Sequence, residues 1–367
     1  MSAVPRVQDV TASGLTRSAS IAWLRVLAMV GVVLIHVSGL VTSRDDLDGT
    51  GVRMVASVLN GATRFCVPLF VLVSGALLLR PSVMASGPRT FYRRRLARLL
   101  PALVFWNLVY LAFRYSVLGV RFRPDDVAAQ LLSGRVYTAL YFFWLILGLY
   151  VVAPWLWNAV RDLTDRQRLV LGLVVVAVTC TWQATIGFLD RAGMDGSPGA
   201  QTIWTLWIPY VGYFLVGGAL RGLLPVSRRS GWTGLGVALV GMAVTSLQVY
   251  RGSSEVLDVI SPVGYKSVVI AATTIALWFA GSWFWREGTR ASRGAVGRFG
   301  ELLGSLTLGV FAIHLLVLYA ATGAIAPGIA HGEVTVAAML ALCVFTLVVS
   351  WFLAWVASRV PGLRRLV

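Results

Sequence analysis

The sequence has very few charged residues for its length. Asp, Glu, Lys and Arg make up 13% of 367 residues, whereas 57% are hydrophobic and the mean hydropathy is +0.78. A soluble domain has about 25% charged residues, so this chain lacks the charge needed to cover a water-facing surface of its size. A soluble globular protein is therefore excluded. Hydrophobic runs of about 18 or more residues recur along the chain and indicate membrane spans.

Cysteine residues are few, and Asp and Glu are missing from the interior of the hydrophobic runs. The three cysteines, Cys66, Cys180 and Cys343, all fall in hydrophobic runs without CxxC spacing. We expect them to pack in the core rather than to form a disulfide framework or a metal site, and no permanently bound cofactor is predicted. All 15 acidic residues fall in the N-terminal tail, in loops or at helix ends. This placement argues against a carrier that moves Na⁺ or protons on buried carboxylates.

The hydrophobic runs predict an all-α, polytopic membrane bundle of about ten transmembrane helices, because lipid offers no partners for unpaired backbone groups. We divide the chain into a cytoplasmic tail (1–17), a transmembrane domain (18–358) and a cytoplasmic basic tail (359–367). The loops leave no room for a soluble domain, so any active site must lie within the bundle or at its mouths. The predicted spans are 18–41, 54–79, 95–118, 136–160, 168–189, 202–223, 231–250, 265–285, 304–324 and 334–358.

The net charge of +17 is distributed unevenly along these predicted spans. With the N-terminus inside, most of the 32 Lys and Arg residues fall in cytoplasmic segments, as the positive-inside rule requires. The charge is thus a topology signal and not a nucleic-acid footprint. It predicts that both termini are cytoplasmic. We expect a multi-pass protein of the plasma (inner) membrane. The first hydrophobic run lacks a small-residue cleavage site, so we expect an uncleaved helix.

Ionisable residues inside membrane spans are costly and mark function. The predicted spans bury cationic or imidazole side chains but no carboxylates, which favours an anionic ligand. Arg114, near an outer helix end, is expected to snorkel, and His331 lies in a loop beside Glu333, so neither is assigned a role. Away from the extreme span ends, these side chains are Arg25, His36, Arg64, Arg114 and His314.

Arg25 and His36 share one face of the first predicted helix. They are eleven residues apart, which is three turns plus about 20°, and the helical rise separates them by about 16 Å. Arg64 comes early in the second span, at a depth comparable to that of His36. A guanidinium near the cytoplasmic side and an imidazole further out suit a long ligand that is anionic at one end.

These residues belong to motifs that resemble the acyltransferase-3 family of membrane acyltransferases, which O-acetylate surface polysaccharides. The order and spacing of the motifs match over nearly the whole chain. Two positions depart from the pattern: Ala139 or its neighbours occupy the place of a fourth-helix histidine, and Leu315 rather than proline follows His314. The motifs are Arg25-x10-His36, Val67 to Leu79, the basic segment with Arg95-x-x-Arg98, Phe142 to Pro154, and Ser305 to Leu318.

The resemblance implies an O-acetyltransferase that moves an acyl group, with acetyl as the default, from cytoplasmic acyl-CoA to a glycan or glycolipid hydroxyl at the outer face. Residue chemistry fits these partners. Arg25, Arg95 and Arg98 can hold the phosphates of the co-substrate acyl-CoA through forked, charge-assisted bonds.

The catalytic side chains are expected further out. His36, neutral in low-dielectric surroundings, can act as general base, and Arg64 can stabilise the oxyanion. His314 is a further candidate site whose role stays open.

Two other classes of protein fit parts of this pattern. A transporter or flippase of an anionic lipid-linked sugar would also use ten helices and buried arginines. A structural membrane subunit would have little reason to bury Arg25 and His36 on one face. Transfer of label from acetyl-CoA to endogenous glycan or lipid would separate the enzyme from the transporter.

Overall fold

The structure is a computed structural model, and it describes residues 19–194, 201–252, 255–329 and 332–367. The predicted tail 1–17 and His331 lie outside the described residues. Within the described residues the regular secondary structure is entirely helical. The α-helices are α1 (Ala19–Thr42), α2 (Gly51–Ala62), α3 (Cys66–Leu78), α4 (Pro81–Met84), α5 (Gly87–Ser116), α6 (Pro124–Leu132), α7 (Tyr141–Val160), α8 (Asp165–Arg191), α9 (Val211–Gly222), α10 (Arg228–Arg251), α11 (Glu255–Ile260), α12 (Val268–Phe284), α13 (Gly294–Ser305), α14 (Thr307–Ile325) and α15 (Val336–Arg359).

The predicted helical membrane bundle is confirmed. Eight helical segments in the described part of the chain are long and apolar enough to cross a membrane. They are α1, the stretch Gly51–Leu78 that contains both α2 and α3, and the helices α5, α7, α8, α10, α14 and α15. Each matches one of the predicted spans, with ends that differ by several residues.

The two remaining predicted spans form shorter helices. The span predicted at 265–285 contains α12, which has 17 residues. The span predicted at 202–223 contains only the 12 residues of α9, preceded by a short 3-10 turn at Ile208–Tyr210. Residues Gly212–Leu220 of α9 are all buried, because α9 packs between α3 and α8. Its hydrophobicity therefore reflects burial within protein.

The second predicted span is broken into α2 and α3 by a turn at residues 63–65. Pro68, in the first turn of α3, has no backbone N–H to donate to the carbonyl of Arg64. Within the turn, the Cys66 amide donates to the Thr63 carbonyl at 3.1 Å. This break places Arg64 between two helices rather than on a regular helical face.

Helix α1 lies at the centre of the bundle. It contacts α2, α3, α12, α13, α14 and α15. At Gly31 the approach of α3 is so close that an added Cβ would lie 3.0 Å from the Cβ of Cys66. Since α1 is surrounded by other helices, both polar side chains on its shared face point into protein rather than lipid.

Shorter elements cover one end of the bundle. The amphipathic helix α13 packs along α1, and the indole nitrogen of Trp23 donates to the Ala291 carbonyl at 2.9 Å. The predicted basic tail folds back onto the bundle, where the Trp106 indole donates to the Leu366 carbonyl at 2.9 Å and Val367 is buried. These contacts hold the end of the bundle that contains Arg25.

Candidate active site

A cavity of about 190 Å³ lies between α1, α3, α5, α7 and α14 at the Arg25 end of the bundle. Arg25, Arg95 and Arg98, which were predicted as one group from sequence, all line it, and Arg94 joins them. Arg25 and Arg95 are partly buried, whereas Arg94 and Arg98 are exposed and mark the mouth. None of the described residues that line this cavity is acidic. The cavity is therefore a cationic pocket that opens at one end of the bundle.

Arg25 is held by the first turn of α14. Its Nη2 donates to Thr307 Oγ1 at 2.7 Å, and that hydroxyl donates in turn to the Gly304 carbonyl at 3.0 Å. Thr307 has no charge, so this contact orients the guanidinium without neutralising it. Within the described ranges the other two nitrogens of this guanidinium make no hydrogen bond, so they can meet an anion in a forked geometry.

Arg95 and Arg98 lie one turn apart on α5. Tyr150 of α7 lines the same cavity and interacts electrostatically with both of them and with Arg25. A phenol among three guanidinium groups adds a hydroxyl that can donate to a phosphate oxygen. Sequence reasoning assigned Tyr150 no role of its own, although it lies in the middle of α7 and within the motif Phe142 to Pro154.

An aromatic wall, formed by Phe70, Phe142 and Phe311, closes the far end of the cavity. The ring of Phe142 lies 5.7 Å from that of Phe70 and 4.8 Å from that of Phe311, centroid to centroid. All three residues are buried and line the cavity. The pocket thus changes from cationic at its mouth to apolar at its end.

The two histidines of the described chain come together beyond this aromatic wall. The ring centroids of His36 and His314 are 5.2 Å apart, and the ring of His314 lies 5.7 Å from that of Phe311. His314 is 0% exposed, whereas His36 is partly exposed. His36 itself does not line the cationic pocket.

Arg64 connects to α1 through Asn60. Its Nε and Nη2 donate to Asn60 Oδ1 at 3.1 and 2.6 Å. The Asn60 amide donates in turn to the Ile35 carbonyl and to Ser38 Oγ, both at 3.3 Å. These acceptors flank His36 in the sequence, so Arg64 is tied to the segment of α1 that carries the imidazole.

A cluster of buried and partly buried polar groups lies beside Arg64. Tyr265, in the segment before α12, interacts electrostatically with Tyr141, Tyr210, Cys66 and Arg64. Sequence reasoning assigned these tyrosines no role, because they come from three distant parts of the chain. The cluster supplies hydroxyl groups at the level where α3 begins.

Thr307 and His314 could have been connected from the sequence alone. They are seven residues apart in α14, which is two turns less about 20°, so they share a helical face. The structure pairs Thr307 with Arg25 and His314 with His36. Two residues of one helical face thus meet two residues of another, and α1 and α14 run in the same direction.

The family model described as an acyltransferase domain, that of the acyltransferase-3 family, matches residues 18–355. This is nearly the whole chain. The protein belongs to the acyltransferase-3 family. No curated protein and no solved structure matches the chain. The membrane bundle described above is therefore that of a membrane acyltransferase, and the resemblance read from the motifs is confirmed.

The site of this acyltransferase offers no cluster suited to a metal ion. Within the described ranges, no group of three or more His, Cys, Asp and Glu side chains converges. The polar groups that do converge are guanidinium, imidazole and hydroxyl groups. These groups can bind anions, accept a proton and stabilise an oxyanion.

Proposed function

We propose that this acyltransferase transfers an acyl group, acetyl by default, from acyl-CoA to a hydroxyl of a glycan or glycolipid, with His36 as general base. The observation that carries the proposal is the cationic pocket: four arginines and no carboxylate line it among the described residues, and its aromatic wall includes Phe311, which contacts His314. This arrangement matches a donor that is polyanionic at one end and has a thioester at the other.

The phosphates of acyl-CoA bind at the pocket mouth in this proposal. Arg95 and Arg98 are supplied by the same turn of α5, and Arg25 is oriented by Thr307. Charge-assisted and bidentate bonds from guanidinium groups to phosphate are among the strong hydrogen bonds in proteins. Since CoA is a cytoplasmic metabolite, we assign the Arg25 end of the bundle to the cytoplasmic side, in agreement with the distribution of basic residues.

The pantetheine arm extends from the arginines toward the aromatic wall. Arg25 and His36 are about 16 Å apart along the helix axis, a distance that such an arm can span. Because His36 does not line the pocket, the proposal requires Phe142 or Phe311 to rotate so that the acyl group can reach the imidazole. The acyl group then lies between the wall and the imidazole.

The acceptor enters from the His36 end. A neutral imidazole of His36 takes the proton of the acceptor hydroxyl as its oxygen attacks the thioester carbonyl. Arg64, held near α1 by Asn60, stabilises the negative charge that develops on the carbonyl oxygen. The C–S bond breaks, and the CoA thiolate takes the proton from the imidazolium. Ester product and CoA leave by opposite ends.

The test is transfer of label from radioactive acetyl-CoA. Membranes that contain the protein are compared with membranes that contain His36→Ala, and label is followed in extracted glycan and lipid. We expect label only with the unchanged protein. A transporter or flippase of an anionic lipid-linked sugar would leave both samples unlabelled, so this result would overturn the acyltransferase mechanism in favour of that alternative.

A further inference from the structure

His314 has one ring nitrogen with a partner and one without. Its Nδ1 lies 2.7 Å from the carbonyl oxygen of Phe311, one turn earlier in α14. A carbonyl oxygen can only accept, so Nδ1 carries the proton and, in a neutral imidazole, Nε2 has a free lone pair. This Nε2 is buried and has no hydrogen-bond partner among the residues that the structure describes. Buried acceptors without partners are rare in folded proteins and call for an explanation.

The neighbouring ring that can supply the missing donor is that of His36. The two ring centroids are 5.2 Å apart, with the planes tilted by 45°. If a nitrogen of each ring faced the other ring, this separation would bring the two nitrogens within reach of an N–H···N bond. Rotation of the His36 ring about its terminal torsion, which is a soft one, brings the two nitrogens into line. Phe311, the other ring in contact with His314, has no donor.

We propose that His36 donates a ring N–H to Nε2 of His314, and that this bond holds His36 in the tautomer whose other nitrogen faces the acceptor hydroxyl. His314 is then a positioning residue, and this role rests on the proposed function of His36 as base. The chain of bonds runs from the Phe311 carbonyl through His314 to His36. Because the carbonyl can only accept, it determines which nitrogen of each ring carries the proton.

An imidazole suits this place better than the carboxylate that often orients a catalytic histidine. A carboxylate buried in the bundle would carry a charge that the membrane interior disfavours. The neutral Nε2 of His314 accepts the same bond without that charge. The pairing also gives a role to a histidine that is fully buried in α14.

The test uses two substitutions, each of which keeps one of the two hydrogen-bonding functions of the imidazole. His314→Asn retains a donor at the Nδ1 position for the Phe311 carbonyl but removes the acceptor at Nε2. His314→Gln places an amide oxygen near Nε2 but loses the Nδ1 donor. If His314 only supports the fold through Phe311, Asn will be the better replacement. If it orients His36, Gln will be the better one.

The measurement is transfer of label from acetyl-CoA to the endogenous acceptor of the host membrane, with the full chain and over a range of acetyl-CoA concentrations. We expect His314→Asn to lower the maximal rate by about 100-fold and His314→Gln by less than about 5-fold, with the KM for acetyl-CoA unchanged in both, because only a step at the base is affected. The reverse ranking, two inactive variants, or two variants with wild-type rates would each overturn the proposal.

A second measurement separates this proposal from the proposed function. The chain has only three histidines, so ¹⁵N-histidine labelling of a His331→Gln protein leaves two imidazoles to resolve. We expect a protonated Nδ1 on His314 and a correlation across an N–H···N bond to His36. Absence of that correlation overturns the positioning role even if the enzyme transfers acetyl groups. Its presence in a protein without transferase activity upholds the pairing and overturns the proposed function instead.

Discussion

The two ends of the site differ in charge, in access and in how their polar groups are satisfied. At the Arg25 end, arginines surround an open pocket, and one neutral hydroxyl holds Arg25 in place. At the His36 end, two imidazoles pack closely behind phenylalanine rings, and one of them is 0% exposed. The first arrangement suits the binding of a charged group, and the second suits proton transfer away from water. Changes at the two ends should therefore affect different kinetic constants.

The largest expected effect comes from His36. Replacement of His36 by alanine removes the base, and we expect the maximal rate to fall by about 10²–10⁴-fold with little change in the KM for acetyl-CoA. The measurement is initial rate against acetyl-CoA concentration. His331→Ala, which removes the third histidine of the sequence, serves as a matched control. A rate close to that of the unchanged protein in His36→Ala, in a variant that unfolds at the normal temperature, would exclude His36 as the base.

The next effect tests the opposite end. Arg25→Ala removes a charged donor, and hydrogen bonds to charged groups contribute about 1.5–3 kcal/mol, so we expect the KM for acetyl-CoA to rise about 10–100-fold. The inhibition constant of free CoA should rise by the same factor, because free CoA carries the same phosphates. Arg25→Lys retains the charge without the forked geometry, so its KM for acetyl-CoA should lie between those of the unchanged protein and Arg25→Ala. An unchanged KM in Arg25→Ala would remove the phosphate-binding assignment.

The aromatic wall predicts which acyl groups are accepted. Phe142→Leu shortens the wall while keeping an apolar side chain, and we expect the preference for acetyl over butyryl donors to fall about 10-fold, since pocket fit can discriminate chain lengths by such factors. The ratio of kcat/KM for the two donors measures this effect. Phe113→Leu on α5, whose ring packs on Tyr137 and Tyr319 away from the pocket, is the control. Equal selectivity in both variants would show that the aromatic wall does not set the preferred length of the acyl chain.

The smallest expected effect concerns Thr307. Thr307→Val keeps the shape of the side chain but removes the hydroxyl that accepts from Arg25. A single hydrogen bond contributes about 0.5–1.5 kcal/mol, so we expect the KM for acetyl-CoA to rise about 2–10-fold. Thr307→Ser keeps the hydroxyl and should have the KM of the unchanged protein. If both substitutions gave the same KM, Arg25 would not depend on α14 for its orientation.

Much of the architecture follows from the sequence because lipid imposes a simple rule on long apolar runs. Eight of the predicted spans correspond to helices that can cross a membrane. Helical periodicity alone placed Arg25 and His36 on one face, and the spacing in α5 placed Arg95 and Arg98 together. These inferences need only local geometry, which a single helix determines.

Other features depend on which helices become neighbours, and no local pattern encodes that choice. Nothing in α1 indicates that His36 meets His314, since the contact arises from the parallel packing of α1 and α14. The same holds for Tyr265, whose partners come from three other elements. The break at residues 63–65 was encoded by Pro68, but whether a proline kinks or interrupts a membrane helix depends on the groups that satisfy the freed carbonyl.

Helix α9 has a consequence for how the chain assembles. Its 12 residues extend about 18 Å, well short of the hydrocarbon thickness of about 30 Å, and the surfaces that cover it belong to α3 and α8. Such a segment has little reason to enter lipid by itself. Its place in the membrane depends on helices made earlier in the chain, so a mutation that loosens α3 or α8 should leave α9 misplaced and expose the chain to quality-control proteolysis during biogenesis.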